Sequence, residues 1–235
     1  MPEPSSLSTS NQILNALPRD EHERLLPFLE SVKLTHGQII SRPHEPITHV
    51  YFPNHAMISV VSNLAQGQSV EIGVVGREGM SGIDVLMGVD STPNESMVQL
   101  PDGALRMQTA VIREEFKRGG ALQDLLMRYT RTLLIQVSQS AVCNRLHSVV
   151  ERLSRWLLMS QDRAESDDLP LTQEFIAMML GTRRSGVTEA AIALQGDGYI
   201  RYWRGHITIL DRPGLEDFTC ECYAIIKAEF DMLKP

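Results

Sequence analysis

The stretch LTQEFIAMMLGTRRSGVT, residues 171–188, decides how the C-terminal part of this 235-residue chain folds. Thr172 is a residue type that caps helices, and apolar residues follow it at helical spacing until Gly181 ends the run. Thr182 offers a second cap, so we predict two helices joined by a tight turn. The second helix would bury Val187, Ala190, Ala191 and Leu194 and would present Arg183, Arg184, Ser185, Thr188 and Glu189 near its N-terminus.

A β-hairpin is predicted directly after these two helices. The GDG run at residues 196–198 ends the second helix, and two β-like runs, residues 199–202 and 207–210, flank a short turn that includes Arg204. Two such runs around a short turn are typical of a hairpin. The helices and the hairpin together form a predicted winged helix-turn-helix.

One long helix and a break are predicted upstream of this domain. The helix begins after the glycines at 119 and 120, and the tetrapeptide SVVE at 148–151 fits a capping box that starts a new helix after a hinge. Apolar residues recur on one face of the long helix: Leu122, Leu126, Tyr129, Leu133 and Val137. We expect helix 120–146 to pair with a second copy of the chain. A helix packed only on its own domain is the alternative.

The first half of the chain is punctuated like an antiparallel β protein. Short helices are expected within residues 13–32, and β-like runs separated by turn residues follow up to Met107. These runs lie at residues 39–40, 49–52, 58–61, 70–75, 97–100 and 105–107. The predicted fold class is α+β, with an N-terminal antiparallel β-roll, a long helix and a C-terminal winged helix-turn-helix.

Composition excludes several classes of protein. Hydrophobic residues make up 43% and charged residues 22% of the chain, which is typical of a folded globular protein. Three cysteines are too few for a disulfide framework, and residues 1–11 lack a basic flank followed by an apolar run, so we expect no secretion. No window of about 18 residues is free of charged and strongly polar groups. We therefore expect a cytoplasmic protein that does not bind a membrane.

The net charge of −7 is distributed unevenly along the chain. Arginines at positions 183, 184, 201 and 204 lie between Gly181 and His206, and only Glu189 and Asp197 oppose them. Phosphate contact needs such a local basic surface, because the field of a charge falls off within about 8–10 Å in physiological salt. This segment can therefore attract DNA although the chain as a whole is acidic.

A polar, basic helix N-terminus suits the major groove of DNA. Arginine can donate two parallel hydrogen bonds to guanine and glutamate can accept one from cytosine, so we assign Arg184 and Glu189 to base edges. Thr172, Gln173, Arg183 and the wing residue Arg204 are assigned to phosphates, and Ser185 and Thr188 reach either kind of group. A solvated helical face in a structural winged helix is one alternative, and a sensor domain that only mediates protein contacts, with the helix-turn-helix as scaffold, is another.

The stretch 171–188 resembles the helix-turn-helix of the Crp/Fnr transcriptional regulators, and the predicted order of elements agrees with that family over nearly the whole chain. The resemblance implies a homodimer whose seam is the long helix, and a β-roll sensor similar to cyclic-nucleotide-binding domains. Effector binding would reorient the DNA-binding domains through the hinge. We expect a sensor domain at residues 12–119, a dimerisation helix and hinge at 120–147 and a DNA-binding domain at 148–235. The expected partner is an operator of double-stranded DNA, with RNA polymerase as a further candidate.

The expected effector region departs from family members that bind cyclic AMP. Those members carry a Gly-Glu-Leu-Gly turn and a later Arg-Ser-Ala run whose arginine pairs with the cyclic phosphate. Here residues 76–82 read GREGMSG, and Glu95 stands about where that cation is needed, so cyclic AMP in the usual pose is disfavoured. Gly79 and Gly82 could still offer N–H groups to an anion, with Arg77 as counter-charge. Turn glycines without a ligand are the alternative, and the sequence identifies neither the effector nor a cofactor.

The cysteines and histidines do not predict a metal site. Cys143, Cys220 and Cys222 lack the four thiolates, mostly near the N-terminus, of an iron–sulfur sensor of the oxygen-responsive type. The CEC tripeptide at 220–222 could bind a soft metal or oxidise, but without another thiolate or a histidine pair nearby we interpret it as incidental. Four histidines in the β-roll, at positions 36, 44, 49 and 55, fit solvated turn residues.

A β-barrel metal enzyme with a helical tail is the rival prediction from another class. Its ligands would be His44, His49 and His55. Cupin-like enzymes usually carry a His-x-His pair, which this sequence lacks, and we find no convincing motif for a hydrolase nucleophile or a phosphate-binding loop. We therefore predict a regulator rather than an enzyme.

Overall fold

The structure of the protein is a computed structural model that describes residues 9–233. The N-terminal half contains α1 (Gln12–Asn15), α2 (Arg19–Leu25), β1 (Glu30–Lys33), β2 (Ile39–Ser41), β3 (His49–Pro53), β4 (Met57–Asn63), β5 (Ser69–Val75), β6 (Glu95–Leu100), β7 (Gly103–Gln108) and α3 (Thr109–Lys117). The C-terminal half contains α4 (Ala121–Leu146), α5 (Val149–Ala164), β8 (Asp168–Leu169), α6 (Gln173–Met179), α7 (Arg184–Gly196), β9 (Ile200–Trp203), β10 (His206–Ile209), α8 (Arg212–Phe218) and α9 (Cys222–Asp231). Residues 1–8 and 234–235 lie outside the described residues. The first group is most of the stretch in which we looked for a secretion signal, and the second is the end of the predicted DNA-binding domain.

Two compact units make up the chain. The first runs up to Ile58 and continues from Val75 to Thr130, and the second combines Ser59–Val74 with Arg131–Met232. Most of the β4–β5 hairpin therefore belongs to the same unit as the C-terminal helices. Within residues 9–233, no helix has both the length and the apolar character that crossing a membrane requires.

Antiparallel sheets form the β-roll. One sheet has the strand order β1–β7–β3, with Glu30 opposite Arg106 and His49 opposite Gln108. A four-stranded sheet has the order β2–β6–β4–β5. Phe52 of β3 and Leu105 of β7 are paired in the first sheet and both are buried, because alternate residues of a strand point to the same face.

Helix α5 lies at the centre of the second unit. Every residue from 152 to 161 on this helix is buried, including polar ones, because α7, α8 and α9 pack around it. A small sheet of order β8–β10–β9 completes the unit, with Ile207 of β10 paired to Leu169 on one side and Tyr202 on the other.

The predicted fold class is confirmed, and each of the six predicted β-like runs lies in a strand. Five elements of the described chain were missed: β1, α3, β8, α8 and α9. β1 has the polar sequence ESVK with largely exposed side chains, and the two-residue β8 exists because it pairs with β10. Their strand character comes from pairing with a distant segment, which a local pattern does not reveal.

The predicted break between the long helix and the next one is confirmed. Helix α4 ends at Leu146 and α5 begins at Val149. Ser148 caps α5 through its side chain, and the Glu151 carboxylate accepts a hydrogen bond from the backbone N–H of Ser148 at 2.8 Å. This reciprocal capping box satisfies N–H groups at the helix start and fixes where α5 begins.

Part of the face of α4 that we assigned to a partner copy packs inside the protein. The Tyr129 ring is buried on Gly79, where an added Cβ would come within 2.2 Å of the ring. Leu133 and Val137 lie next to Gly73 of β5. Tyr129 is therefore wrong as a pairing residue, because periodicity identifies residues that share a face but not the surface that covers them. The large apolar residues that α4 leaves exposed are Met127, Leu134, Val142 and Leu146.

Candidate nucleic-acid interface

The helix-turn-helix is built from local signals in the sequence. Thr172 accepts a hydrogen bond from the N–H of Phe175 through its hydroxyl oxygen, at 3.2 Å, and so caps α6. Gly181 ends this helix with φ +57°, and Thr182 donates its N–H to the carbonyl of Ala177 at 3.0 Å. A residue in the left-handed region is the common way to terminate a helix, and glycine adopts it without strain.

Helix α7 begins one residue later than the sequence suggested. Its N-cap is Arg183, not Thr182, and the Arg183 side chain makes no capping hydrogen bond. The first N–H groups of a helix have no partner within the helix, and the helix dipole makes this end attractive to anions. An uncapped, arginine-flanked helix N-terminus is therefore suited to a phosphate group.

The predicted outward residues of α7 lie on its surface. Arg183, Arg184, Ser185 and Glu189 are exposed or half-buried, whereas Val187, Ala190, Ala191 and Leu194 are buried as predicted. Neither arginine forms an ion pair with another residue of the described chain. Neither guanidinium is held in such an ion pair, so both can contact a polyanion.

Thr188 and Gln173 contact each other across the two helices. The Thr188 hydroxyl lies 2.8 Å from Oε1 of Gln173 and 3.0 Å from the carbonyl oxygen of Arg184, and it can donate to one of them at a time. When Gln173 accepts this hydrogen bond, its amide N–H groups remain for another acceptor. Gln173 is half-buried at the start of α6, so we interpret the pair as one that orients the glutamine.

The wing carries an exposed basic turn. Arg204 and Gly205 connect β9 to β10 with φ values of +48° and +81°, as a tight hairpin turn of this type requires. The Arg204 guanidinium lies 5.2 Å from the centre of the Trp203 ring, which is 66% exposed. On the neighbouring strands, His206 contacts Asp168 at 2.9 Å and holds β10 against β8. The structure therefore places Arg204 on the wing, apart in sequence from the cluster at the start of α7.

The turn between α6 and α7 has support from elsewhere in the second unit. Arg152 of α5 donates a hydrogen bond to the carbonyl of Leu180. An added Cβ on Gly181 would lie 3.0 Å from Val70 of β5, so the turn and the hairpin are in close contact. The tip of the β4–β5 hairpin and residues 181–186 line one open cleft.

A buried carboxyl links the hairpin to α5. Glu71 accepts hydrogen bonds from the Ser59 hydroxyl at 2.6 Å and from the Trp156 indole N–H at 2.9 Å. Burial raises the pKa of Glu71 to about 7, although these hydrogen bonds and the charges of Arg155 and Arg163 oppose the rise. No local pattern in the sequence indicates this network, because Glu71 and Trp156 are 85 positions apart.

Two glycines of the predicted effector site have structural roles in the β-roll. Gly79 is buried under Tyr129, and its N–H donates to the carbonyl of Gly76 at 3.1 Å. This N–H is therefore used within the turn, and its role as a donor to an effector stays a prediction. Gly82 has φ +90° and closely approaches Val50, which explains the glycine without a ligand. Arg77 is half-buried and stays a predicted counter-charge.

The cysteines come together with a histidine, which we did not predict. Cys143, His147, Cys220 and Cys222 offer ligand atoms that all lie within 4.8 Å of one another. Among residues 9–233, no other group of three or more histidine, cysteine, aspartate or glutamate side chains is close enough to hold a metal ion. The four β-roll histidines therefore do not form such a group. The missed signal is the i, i+4 spacing of Cys143 and His147 at the end of α4.

Comparisons with known proteins agree with this architecture. The Crp-like helix-turn-helix domain family matches residues 151–218. FixK2 from Bradyrhizobium japonicum has a similar fold, with a TM-score of 0.70 at 15% identity over 82% of this chain and 98% of that one. The c-di-GMP responsive global regulator CLP from Xanthomonas campestris has a TM-score of 0.65 at 15% identity over 83% of this chain and 100% of that one.

A CRP-family transcriptional regulator from Thermus thermophilus has a TM-score of 0.66 at 16% identity, over 79% of this chain and 95% of that one. A search of curated proteins by sequence found no match. The Xanthomonas and Thermus proteins are described as regulators, and the helix-turn-helix match does not favour the rival prediction of a metal enzyme. The chain therefore contains a Crp-like helix-turn-helix domain at residues 151–218, and its fold is similar to that of the CRP-family regulator described above.

Proposed function

We propose that the protein binds operator DNA sequence-specifically as a homodimer and that α7 enters the major groove. The observation that carries this proposal is the exposed, uncapped N-terminus of α7, with Arg183 and Arg184 unpaired by carboxylates within the described chain. The family match to residues 151–218 supports the same element as the DNA-binding part. Two such helices related by a twofold axis would read half-sites about 34–36 Å apart, so the operator would be roughly palindromic.

The contacts divide into two classes. Arg184 and Glu189, on the first turns of α7, are proposed to read base edges. Arg183, Thr172, Gln173 and the wing residue Arg204 are proposed to contact phosphates, and Ser185 and Thr188 to assist either class. The orientation of Gln173 by Thr188 supports its phosphate role, because the amide N–H groups remain as donors.

The proposed dimer forms through the exposed apolar residues of α4. Leu134 is 63% exposed, and Met127, Val142 and Leu146 are exposed on the same helix. Large apolar side chains on a helix surface are typical of a partner interface. Operator binding implies a cytoplasmic location and brings RNA polymerase within reach as a further partner.

The proposed effector acts through the β-roll. Glu95 still argues against cyclic AMP in the usual pose, and the buried Gly79 argues against an anion at that backbone N–H. The similar Xanthomonas regulator is described as c-di-GMP responsive, so cyclic dinucleotides join cyclic AMP, haem and 2-oxo acids as compounds to test.

Selection of bound DNA from a random pool tests the proposal, followed by affinity measurements on the selected operator and on random duplex. We expect Arg184→Ala to lose about 1–3 kcal/mol at one base position, because arginine reads guanine with two hydrogen bonds. Arg204→Ala should weaken all sequences alike and lower the salt slope by about 1. Lys117→Ala on α3, exposed and outside the helix-turn-helix, is the matched control for loss of one positive charge.

Equal losses on operator and random duplex for both Arg184→Ala and Arg204→Ala would refute the division into base and phosphate contacts. Selection that returns no shared sequence would refute sequence-specific binding itself. Repeating the selection with each candidate effector identifies the ligand as the compound that changes operator affinity.

A further inference from the structure

Four side chains meet where α4 ends and α9 begins. Cys143 lies in the last turn of α4, His147 follows that helix, and Cys220 and Cys222 lie at the start of α9. The three cysteines are buried and carry free thiols, and the His147 side chain is 14% exposed. All four belong to the second compact unit. We propose that Cys143, His147, Cys220 and Cys222 bind one tetrahedral Zn²⁺ ion.

The distances between the side chains fit the edges of a zinc tetrahedron. With Zn–S bonds of about 2.3 Å and a Zn–N bond of about 2.0–2.1 Å, two sulfurs lie about 3.8 Å apart and a sulfur and a nitrogen about 3.5 Å. Sγ of Cys143 is 3.6 Å from Sγ of Cys220, and Sγ of Cys222 is 3.5 Å from Nδ1 of His147. All four ligand atoms lie within 4.8 Å of one another, so small side-chain adjustments close the site around one ion.

The neighbours of the ligands have the chemistry of an outer shell. Nε2 of His147 lies 3.4 Å from the Glu221 carboxylate, which leaves Nδ1 as the ligand atom. A metal-binding histidine almost always donates its other N–H to such a group. Gln139 donates a hydrogen bond to Sγ of Cys222 at 3.2 Å, which would stabilise a thiolate.

The charges around the cluster also fit the ion. Zn²⁺ with three thiolates and a neutral imidazole carries a net charge of −1, and binding releases the three thiol protons. Arg152 and Arg155 are buried in α5 and lie close enough to Cys143 for electrostatic interaction. Buried positive groups next to a negative metal complex compensate its charge.

Other uses of the same residues fit less well. A four-iron cluster needs its four ligands on four different irons, and ligands that can share one ion are too close together for that arrangement. A disulfide between Cys143 and Cys220 would need the sulfurs to move from 3.6 Å to about 2.05 Å, and it would leave Cys222 and His147 unexplained. Soft thiolate ligands also disfavour Mg²⁺ and Ca²⁺.

The metal content of the full chain tests the proposal. The chain is purified anaerobically without a polyhistidine tag, and zinc is measured by inductively coupled plasma mass spectrometry. We expect about one Zn²⁺ per chain. After removal with a chelator, Co²⁺ should restore one equivalent and give the visible absorption of tetrahedral cobalt bound to thiolates. This wild-type measurement does not depend on the folding of any variant.

Variants then assign the ligands. Cys143→Ser and Cys222→Ser should each lower the zinc content to less than about a fifth of the wild-type value, as expected for a closed four-ligand site. Glu221→Gln should keep the ion but weaken its affinity about 10–100-fold in competition with a chromophoric chelator. His206→Ala is the matched control, because His206 also contacts a carboxylate, that of Asp168, but lies outside the cluster.

Three results would overturn the proposal. The first is a zinc-reconstituted wild-type chain that retains less than about a tenth of an equivalent, when a closed site holds a whole one. The second is a cobalt spectrum without thiolate bands. The third is intact-protein mass spectrometry that shows a Cys143–Cys220 disulfide in the anaerobically purified chain. None of these experiments measures DNA binding, so failure of the zinc proposal would not affect the proposed function.

Discussion

Replacing Glu71 by glutamine should change how the stability of the protein depends on pH. The Glu71 carboxyl is buried between Ser59 and Trp156, and Arg155 and Arg163 are the charged groups that act on it. Glutamine keeps the shape of the side chain and stays neutral at every pH. The substitution therefore removes the titration while it retains most of the packing.

The sign of this pH dependence follows from the pKa of Glu71 in the folded protein. Burial raises the pKa of Glu71 from 4.5 to about 7 in the folded protein, so the folded state holds its proton more tightly than the unfolded state. The proton contributes stability that is fully present below about pH 4.5 and is lost as the pH rises to about 7. A shift of one pKa unit corresponds to 1.36 kcal/mol, so the wild type should lose about 3 kcal/mol relative to Glu71→Gln across this range.

Tryptophan fluorescence during urea denaturation measures this difference. The Trp156 indole donates a hydrogen bond to Glu71 and is buried, so its emission reports the unfolding of the region around Glu71. Trp203, in contrast, is exposed in the wing. The free energy of unfolding of both proteins is compared at several pH values between about 4 and 8, which spans the titration. Other titrating groups are common to the two proteins and cancel in the difference. Glu174→Gln, at an exposed carboxylate of the same unit, controls for the loss of one charge.

Parallel stability curves for wild type and Glu71→Gln would refute the reasoning. The difference that does not vary with pH is a separate quantity, because the glutamine amide N–H must donate where the carboxyl oxygen accepted, and the Ser59 hydroxyl can accept it. The burial of the carboxyl is reported only by the increase, with rising pH, of the difference in the free energy of unfolding between the two proteins.

Three further predictions concern other elements. Gly79→Ala should destabilise the protein by about 3 kcal/mol, because the new Cβ would lie 2.2 Å from Tyr129; urea denaturation measures it, and an unchanged midpoint would show that the ring is not packed there. Thr172→Ala should cost about 1 kcal/mol by the same measurement because it removes the α6 cap, whereas Thr172→Ser should be near neutral. Leu134→Glu should convert the proposed dimer into monomers in sedimentation experiments at micromolar concentration, and a dimer that persists would place the interface elsewhere.

The sequence predicted elements well where the deciding residues are close together in the chain. Thr172 and Gly181 mark both ends of α6, and Ser148 with Glu151 marks the start of α5. Caps and left-handed glycines act within one helical turn, so a local pattern contains their whole signal. The error at the start of α7 is also local and amounts to one residue. Thr182 donates its N–H to close the preceding turn, so Arg183 occupies the N-cap position.

Features that depend on distant partners could not be predicted in the same way. The Cys143 and Cys220 thiols are 77 positions apart, and nothing local to either one indicates the other. Tyr129 shows the complementary failure, because its helical spacing was interpreted correctly but the covering surface is the turn at Gly79. Pattern determines which residues share a face, whereas tertiary structure determines what that face meets.

The sharing of one compact unit by the β4–β5 hairpin and the C-terminal helices has a practical consequence for truncation. A fragment that starts at residue 148 would lose Glu71, the acceptor of the Trp156 indole, and Val70, which covers the turn at Gly181. It would also leave part of the buried surface of α5 open to water. Excising the DNA-binding helices at the interhelical break would thus yield a weakened piece, and studies of DNA recognition are better done with the intact polypeptide.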